Sequence, residues 1–222
     1  MSIAENLQHI KKLLPKEVTL IAVSKTKPES DILEAYNAGQ RVFGENKIQE
    51  MAEKYEALPK DIQWHMIGHL QSNKVKYMAS FVSLIHGVDS FKKLEEINKQ
   101  AIKNNRVIDC LLQIKIASED TKFGLSTTEA TQLLAYENLK NLNNICIKGF
   151  MGMATFTDDE TIIKNEFRIL KNYLNSSKKY KTTNFNPTIL SMGMSGDYEI
   201  AIEEGSTMVR IGSSIFGTRN YN

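Results

Sequence analysis

Eight short apolar runs alternating with helix-patterned stretches, a further amphipathic helix ahead of the first run, and a length of 222 residues predict an α/β protein. The expected architecture is a (β/α)8 TIM barrel with an extra N-terminal helix. An open doubly wound sheet is the competing arrangement, and eight βα units in a chain this short favour closure. Barrels of this kind run to about 200–250 residues as one unit, so residues 1–222 are expected to form a single domain.

The first helix opens on a capping box of Ser2 and Glu5, repeats Ile3, Leu7, Ile10 and Leu14 at helical spacing, and is closed by Pro15. Thr19 to Lys25 then reads as a strand covered on both faces, because it is apolar until its last two residues. The same pattern recurs near Val42–Asn46, Trp64–Gly68, Leu84–Asp89, Cys110–Ile116, Ile147–Ala154, Thr188–Met194 and Thr207–Phe216. Between these runs, Leu94, Ile97 and Ala101 form one helical stripe and Ile163, Phe167, Leu170 and Leu174 another, while Ser126 and Glu129 make a second capping box. A helix is therefore expected after every strand. The lysine-rich stretch from Asn175 to Lys181 is expected to be a surface loop.

Composition excludes several classes. With 41% hydrophobic residues and 28 basic against 26 acidic side chains, the chain is not disordered, and its formal charge of +2 gives no electrostatic ground for nucleic acid or an anionic membrane as partner. No stretch approaches the ~20 apolar residues that span a bilayer. Glu5, Asn6 and Gln8 stand where a signal peptide would need apolar residues, so a cytoplasmic location is expected. The two cysteines, Cys110 and Cys146, lie in apolar segments and read as buried small hydrophobes rather than a disulfide.

A barrel builds its site at the carboxyl ends of its strands, and the polar residues fall there. Strand one ends in Lys25 with Lys27 beyond it, strand two in Glu45 and Asn46, strand seven runs into Met194 and Ser195, and strand eight carries Arg210 ahead of Gly212, Ser213 and Ser214. Lys25 shares the strand face of Ile21 and Val23 by the period of two. Desolvation, with Lys27 close by, would lower its pKa and prepare the amine for attack on a carbonyl; the plain alternative is a lysine that reaches out to solvent. Ser195 opens the helix expected over Tyr198–Glu204 and reads either as part of an oxyanion site or as a helix cap. Gly212 lets backbone approach a ligand, with the Ser213 and Ser214 hydroxyls beside it, and loops seven and eight are where barrels commonly bind phosphate. Arg210 lies in an apolar run and needs partners: a ligand nitrogen, to which it could only donate, or a carboxylate such as Glu203 or Glu204. Asn46 could bond a ligand or its own loop.

His65 and His69 offer a rival, a metal site on the spacing of H-E-x-x-H. Met66 stands one place after His65, where that motif has its general-base glutamate, and the segment reads as a strand, so no metal is expected. His65 reads instead as a packed histidine of the core or barrel mouth.

Five ordered motifs carry a resemblance: Ala22-Val23-Ser24-Lys25-Thr26-Lys27-Pro28; Phe43-Gly44-Glu45-Asn46; Trp64-His65-Met66-Ile67-Gly68-His69-Leu70-Gln71-Ser72-Asn73-Lys74; Ser191-Met192-Gly193-Met194-Ser195; and Gly205-Ser206-Thr207-Met208-Val209-Arg210-Ile211-Gly212. Over nearly its whole length the chain resembles the pyridoxal phosphate homeostasis proteins, which are similar to the amino-terminal barrel of alanine racemase. The resemblance implies that pyridoxal 5′-phosphate is held as an aldimine on Lys25, its phosphate by Ser195 and the Gly212-Ser213 turn, with Arg210 near the pyridine nitrogen and Asn46 lining the pocket. Lys122 is a further candidate near the cofactor.

What the resemblance implies about activity is a protein that buffers or delivers the cofactor, with no catalytic residue assigned. Alanine racemase needs a second domain and an opposing tyrosine, and neither is expected in a chain that ends at Asn222 soon after its eighth strand. An arginine at the pyridine nitrogen also makes the ring a poor electron sink. A racemase or related amino-acid enzyme is the alternative, with Tyr198 the one nearby tyrosine to propose. Expected partners are pyridoxal phosphate and the apo-enzymes that use it, the protein itself being a monomer or a weak homodimer.

Overall fold

The computed structural model describes residues 2–118 and 123–217. Its strands are β1 (Thr19–Val23), β2 (Val42–Glu45), β3 (Gln63–Met66), β4 (Leu84–Val88), β5 (Ile108–Gln113), β6 (Ile145–Met151), β7 (Phe185–Met194) and β8 (Met208–Ile211). They pair in chain order, and β8 returns to β1, closing the barrel. All pairings are parallel, so the carboxyl ends of the strands meet at one rim. The (β/α)8 TIM barrel is thus the observed fold, preceded by helix α1 (Ile3–Leu13) with the Ser2–Glu5 capping box in place.

The remaining helices are α2 (Glu29–Asn37), α3 (Ile48–Ala57), α4 (Phe91–Lys103), α5 (Thr127–Ala135), α6 (Glu160–Ser177), α7 (Tyr198–Glu203) and α8 (Ser213–Phe216). The stripes behave as their spacing requires: Leu94, Ile97 and Ala101 of α4 are buried, as are Ile163, Phe167, Leu170 and Leu174 of α6. Two expectations fail. After β3 comes a 3₁₀ helix, Ser72–Tyr77, in which only Val75 is buried, too little apolar surface for an α-helical stripe. The expected loop at Asn175–Lys181 begins inside α6, because Leu174 and Ser177 are still buried there; a short 3₁₀ turn, Lys178–Tyr180, follows.

Apart from β7, which ends at Met194 as expected, the strands are shorter at their carboxyl ends than their apolar runs. Lys25, Asn46 and Gly68 lie just past β1, β2 and β3 and are released from the ladder to form the rim. Cys110 is buried in β5, whereas Cys146, one strand over in β6, is only partly buried and stands beside Asp109.

Successive layers of the barrel interior differ in polarity. Leu84, Leu111 and Met151 form a cluster separate from the main core, with Ile189 and Met208 packed against it. Two residues further along the same strands stand His86, Gln113, Ser191 and Arg210, all buried. By the period of two these polar groups share the inward face of the apolar layer below, one step nearer the carboxyl rim. α1 lies against α8, where Asn6 Nδ2 donates to the Ile215 carbonyl at 3.1 Å. Among the described residues, no helix is long and apolar enough to cross a membrane.

Candidate functional site

A cavity of about 530 Å³ opens at the carboxyl rim, within the size range of small-ligand pockets. Lys25, Asn46, Ser195, Arg210, Gly212 and Ser213, which come from four different strand ends, all line it. Lys27 is at its edge, with Nζ donating to the Phe216 carbonyl at 2.8 Å. Glu45, expected at the same mouth, is not among the lining residues. Neighbouring side chains of a strand point to opposite faces, so Asn46 meets the cavity and Glu45 turns outward to α3. Gly68 makes room for this corner, since a Cβ there would come within 2.3 Å of the Asn46 carbonyl.

Ser195 and Gly212 join the last two loops: the Gly212 amide donates to Ser195 Oγ at 3.4 Å. Ser195 is therefore not the cap of α7, a place taken by Asp197. The amides of Ser213 and Ser214 begin α8 and have no acceptor within that helix. Gly212 sits against β1, where a Cβ would lie 3.2 Å from the Val23 carbonyl.

Arg210 crosses the inner side of the cavity, 4% exposed. Nη1 donates to the Ser191 carbonyl at 2.7 Å and to Ser191 Oγ at 2.6 Å, and Nη2 donates to the Gly152 carbonyl at 3.0 Å. The carboxylate partners expected for it pair elsewhere: Glu203 with Lys164, and Glu204 with Arg168 of α6. These acidic residues are close to Arg210 in sequence, but α7 presents them to α6. Burial lowers the Arg210 pKa to about 10, with Asp197 acting the other way. Its hydrogen bonds go to neutral acceptors, and the Asp197 carboxylate acts on its charge.

Behind Arg210 runs a buried chain. Ser191 Oγ is 2.9 Å from His86 Nδ1, and His86 Nε2 is 3.1 Å from His65 Nδ1. His69 takes no part: it is exposed, its ring 4.8 Å from that of Phe123. The two histidines of the metal-like spacing are therefore not brought together. Burial lowers the His65 pKa to about 3 and shifts His86 the same way.

A second buried cluster supports Lys25 from below. Lys54 of α3 donates to Glu45 Oε1 at 2.8 Å and to Glu50 Oε1 at 2.7 Å, and Ser24 Oγ donates to Glu45 Oε1 at 2.6 Å. Burial pushes the Glu45 carboxyl up, against the pull of Lys54 and Ser24, and its Oε2 is buried without a hydrogen-bond partner. Burial acts to raise Glu50 too, but Lys54 and the Thr26 amide outweigh it and hold that carboxyl below its ordinary value. No spacing in the sequence marks Lys54, Glu50, His86 or Ser191 as parts of the site. The β6–α6 loop, whose Thr155, Phe156 and Asp158 line the cavity, carries no such mark either. Lys122 lies outside the described residues.

The donor set fits a small ligand carrying a phosphate and a carbonyl. An amine and a guanidinium face one cavity that is also lined by Ser195 and Ser213, the latter at the start of α8. Tyr198 does not line it; its hydroxyl donates to Glu199 at 3.1 Å.

Comparison with known proteins agrees with this chemistry. A family model described as alanine racemase, N-terminal domain, matches residues 1–220. The pyridoxal phosphate homeostasis protein of Aquifex aeolicus is 41% identical over 205 residues, 91% of this chain and 87% of that one. Its namesake in Escherichia coli (strain K12) is 37% identical over 212 residues, 94% of this chain and 88% of that one. The structure of PipY from Synechococcus elongatus with PLP bound superposes with a TM-score of 0.87 at 34% identity, covering 97% of this chain and 100% of that one. An alanine racemase from Clostridium difficile, 14% identical with a TM-score of 0.79, covers 100% of this chain and 58% of that one; it shares the fold alone.

Proposed function

The chain belongs to the pyridoxal phosphate homeostasis protein family, built on the alanine racemase N-terminal domain, and on that premise we propose that it binds pyridoxal 5′-phosphate as a lysine aldimine on Lys25. In this reading residues 1–222 are one cofactor-binding barrel domain that buffers the cofactor or delivers it to apo-enzymes, and catalysis is not its role. The observation that carries the reading is the meeting of Lys25 and the buried guanidinium of Arg210 in one cavity also lined by Ser195, Gly212 and Ser213.

The bound group supplies an aldehyde that condenses with an amine and releases water. Lys25 offers that amine. Ser195, the Gly212-Ser213 turn and the α8 amides hold phosphate oxygens, while Asn46 lines the ring. Arg210 can donate a hydrogen bond to the ring nitrogen but cannot protonate it, so the ring remains a weak electron sink. No tyrosine is among the cavity's lining residues, so an opposing base of the racemase kind is not supplied by the described part of the chain. The names of the curated relatives, homeostasis proteins and not racemases, support the same side.

The test is spectroscopic. Purified protein given pyridoxal 5′-phosphate should show visible imine absorbance, and borohydride should fix the cofactor to Lys25. Lys25→Ala should abolish both. A protein that stays colourless after reconstitution refutes the reading, and Lys25-dependent deuterium exchange at the Cα of supplied amino acids would move it to the enzymes.

A further inference from the structure

We propose that Glu50 and Lys54, one turn apart on α3, are positioning residues for Lys25, an inference that rests on the role given to Lys25 above. The peptide groups on the two sides of Lys25 are each held by one member of this pair. The Ser24 carbonyl, on the amino side, accepts from Lys54 Nζ at 2.8 Å. The Thr26 amide, on the carboxyl side, donates to Glu50 Oε1 at 2.6 Å. Glu50 Oε1 and Lys54 Nζ are themselves 2.7 Å apart, so contacts run in a ring from one peptide group, through the ion pair, to the other.

An ordinary exposed pair on a helix does not do this. The Lys54 side chain is 7% exposed and its Nζ is also held by Glu45, itself 0% exposed, so the clamp stands on a buried anchor rather than on solvent. What it holds is strained. Thr26 has φ 64°, the left-handed region that a β-branched residue rarely adopts, and the Glu50 contact falls on that residue's own amide. Without the clamp the Ser24–Lys27 turn can relax, and the Cα that carries the amine moves with it.

Condensation is sensitive to such movement. The Lys25 amine, after giving one proton to solvent, adds to the aldehyde carbon; the aldehyde oxygen then leaves as water with two hydrogens, and a C=N bond replaces C=O with no change of oxidation state. The phosphate is held by loops that Glu50 and Lys54 do not touch. Loss of the clamp should therefore impair bond formation and spare recognition.

The experiment compares Glu50→Ala and Lys54→Met with Glu50→Gln and Lys54→Arg, which keep an acceptor and a cation at the same places. Imine formation is followed by stopped-flow absorbance with pyridoxal 5′-phosphate. Binding without condensation is followed by calorimetry with pyridoxine 5′-phosphate, which has an alcohol in place of the aldehyde. Glu50→Ala and Lys54→Met should slow imine formation about tenfold or more, the scale of a misplaced reacting group, with affinity for pyridoxine 5′-phosphate unchanged. Glu50→Gln and Lys54→Arg should restore the rate. Wild-type rates in Glu50→Ala would overturn the inference, and so would parallel loss of rate and of pyridoxine 5′-phosphate affinity, the mark of a general structural defect. If Lys54→Met does not fold, Glu50→Ala decides alone, since it removes a side chain 22% exposed and leaves Lys54 paired with Glu45. A wild-type protein that forms no imine refutes the reading of Lys25 itself, a result distinct from these.

Discussion

His65 Nδ1 and His86 Nε2 lie 3.1 Å apart inside the barrel, with both rings buried. The direction of that bond follows from its far end. Arg210 can only donate, and Ser191 Oγ accepts from it at 2.6 Å, so the Ser191 hydrogen is available to His86 Nδ1. His86 then carries its proton on Nε2 and donates to His65. The chain from Arg210 to His65 thus runs in one direction with both imidazoles neutral, and a proton added to either ring would break it.

A pH dependence follows. In the unfolded chain His65 takes up a proton near its ordinary 6.5, whereas in the fold it stays neutral down to about 3; His86 is shifted in the same direction, by burial and then by His65 and Arg210. The unfolded state binds more protons in this window, so stability is complete above pH 6.5 and falls as the pH drops toward 3. Between about pH 7.5 and about pH 5.5 the loss from His65 should be about 1 kcal/mol, with His86 adding in the same direction, read by urea unfolding. Glu45, raised by burial, has the opposite sign: its contribution is present below the ordinary carboxylate value and is lost as the pH rises above it. His86→Asn should flatten the slope, and an equally steep slope in that variant would show that other groups cause it.

Gly212→Ala should separate the two ends of the site. The new Cβ would meet the Val23 carbonyl at 3.2 Å and Val23 Cβ at 3.3 Å, so β8 must move away from the strand that leads to Lys25. The expected result is a stability loss of about 1 kcal/mol with weaker binding of both pyridoxal 5′-phosphate and pyridoxine 5′-phosphate. Calorimetry that finds both affinities at the wild-type level would place the phosphate elsewhere.

These groups differ in how far the sequence reveals them. A strand covered on both faces is a largely apolar run, so β4 and β6 are legible near Leu84–Asp89 and Ile147–Ala154, and Lys25, Asn46 and Gly212, at the ends of such runs, fall at the rim by topology. The lumen is harder to read. His86 sits in one of those runs, and its meaning depends on Ser191, over a hundred residues away, which only barrel closure brings to 2.9 Å. Lys54 looks like any lysine of an amphipathic helix; its burial is decided by Glu45 and Ser24 on other elements. Arg210 misleads for the opposite reason, because Glu203 and Glu204 are near in sequence but face α6.

The thiols should be poorly reactive in the native protein, and unequally so. Cys110 is enclosed, and burial pushes its thiol well above the ordinary value. Cys146 is only partly buried; burial raises it as well, with Lys148 pulling the other way. A thiol-exchange reagent at neutral pH should label one site slowly in the folded protein and two after denaturation, and Cys146→Ser should remove the native signal. Rapid labelling of Cys110 would mean that β5 opens locally.

Helix capping offers a way to separate stability from ligand binding. Ser126 Oγ accepts from the Glu129 amide at 3.1 Å while Glu129 Oε2 accepts from the Ser126 amide at 2.8 Å, closing the box at the start of α5. No residue of α5 lines the cavity. Ser126→Ala should therefore lower Tm by about 2–4 °C through the lost cap while leaving the affinity for pyridoxal 5′-phosphate unchanged. Ser126→Asp, which keeps an acceptor at the cap, should recover most of the lost stability. If affinity falls together with Tm in Ser126→Ala and returns in Ser126→Asp, the mouth depends on how firmly α5 is seated, and the layer of His86, Gln113, Ser191 and Arg210 is then the element to test, because Gln113 links β5 to the Phe123 carbonyl at 2.9 Å on the approach to α5.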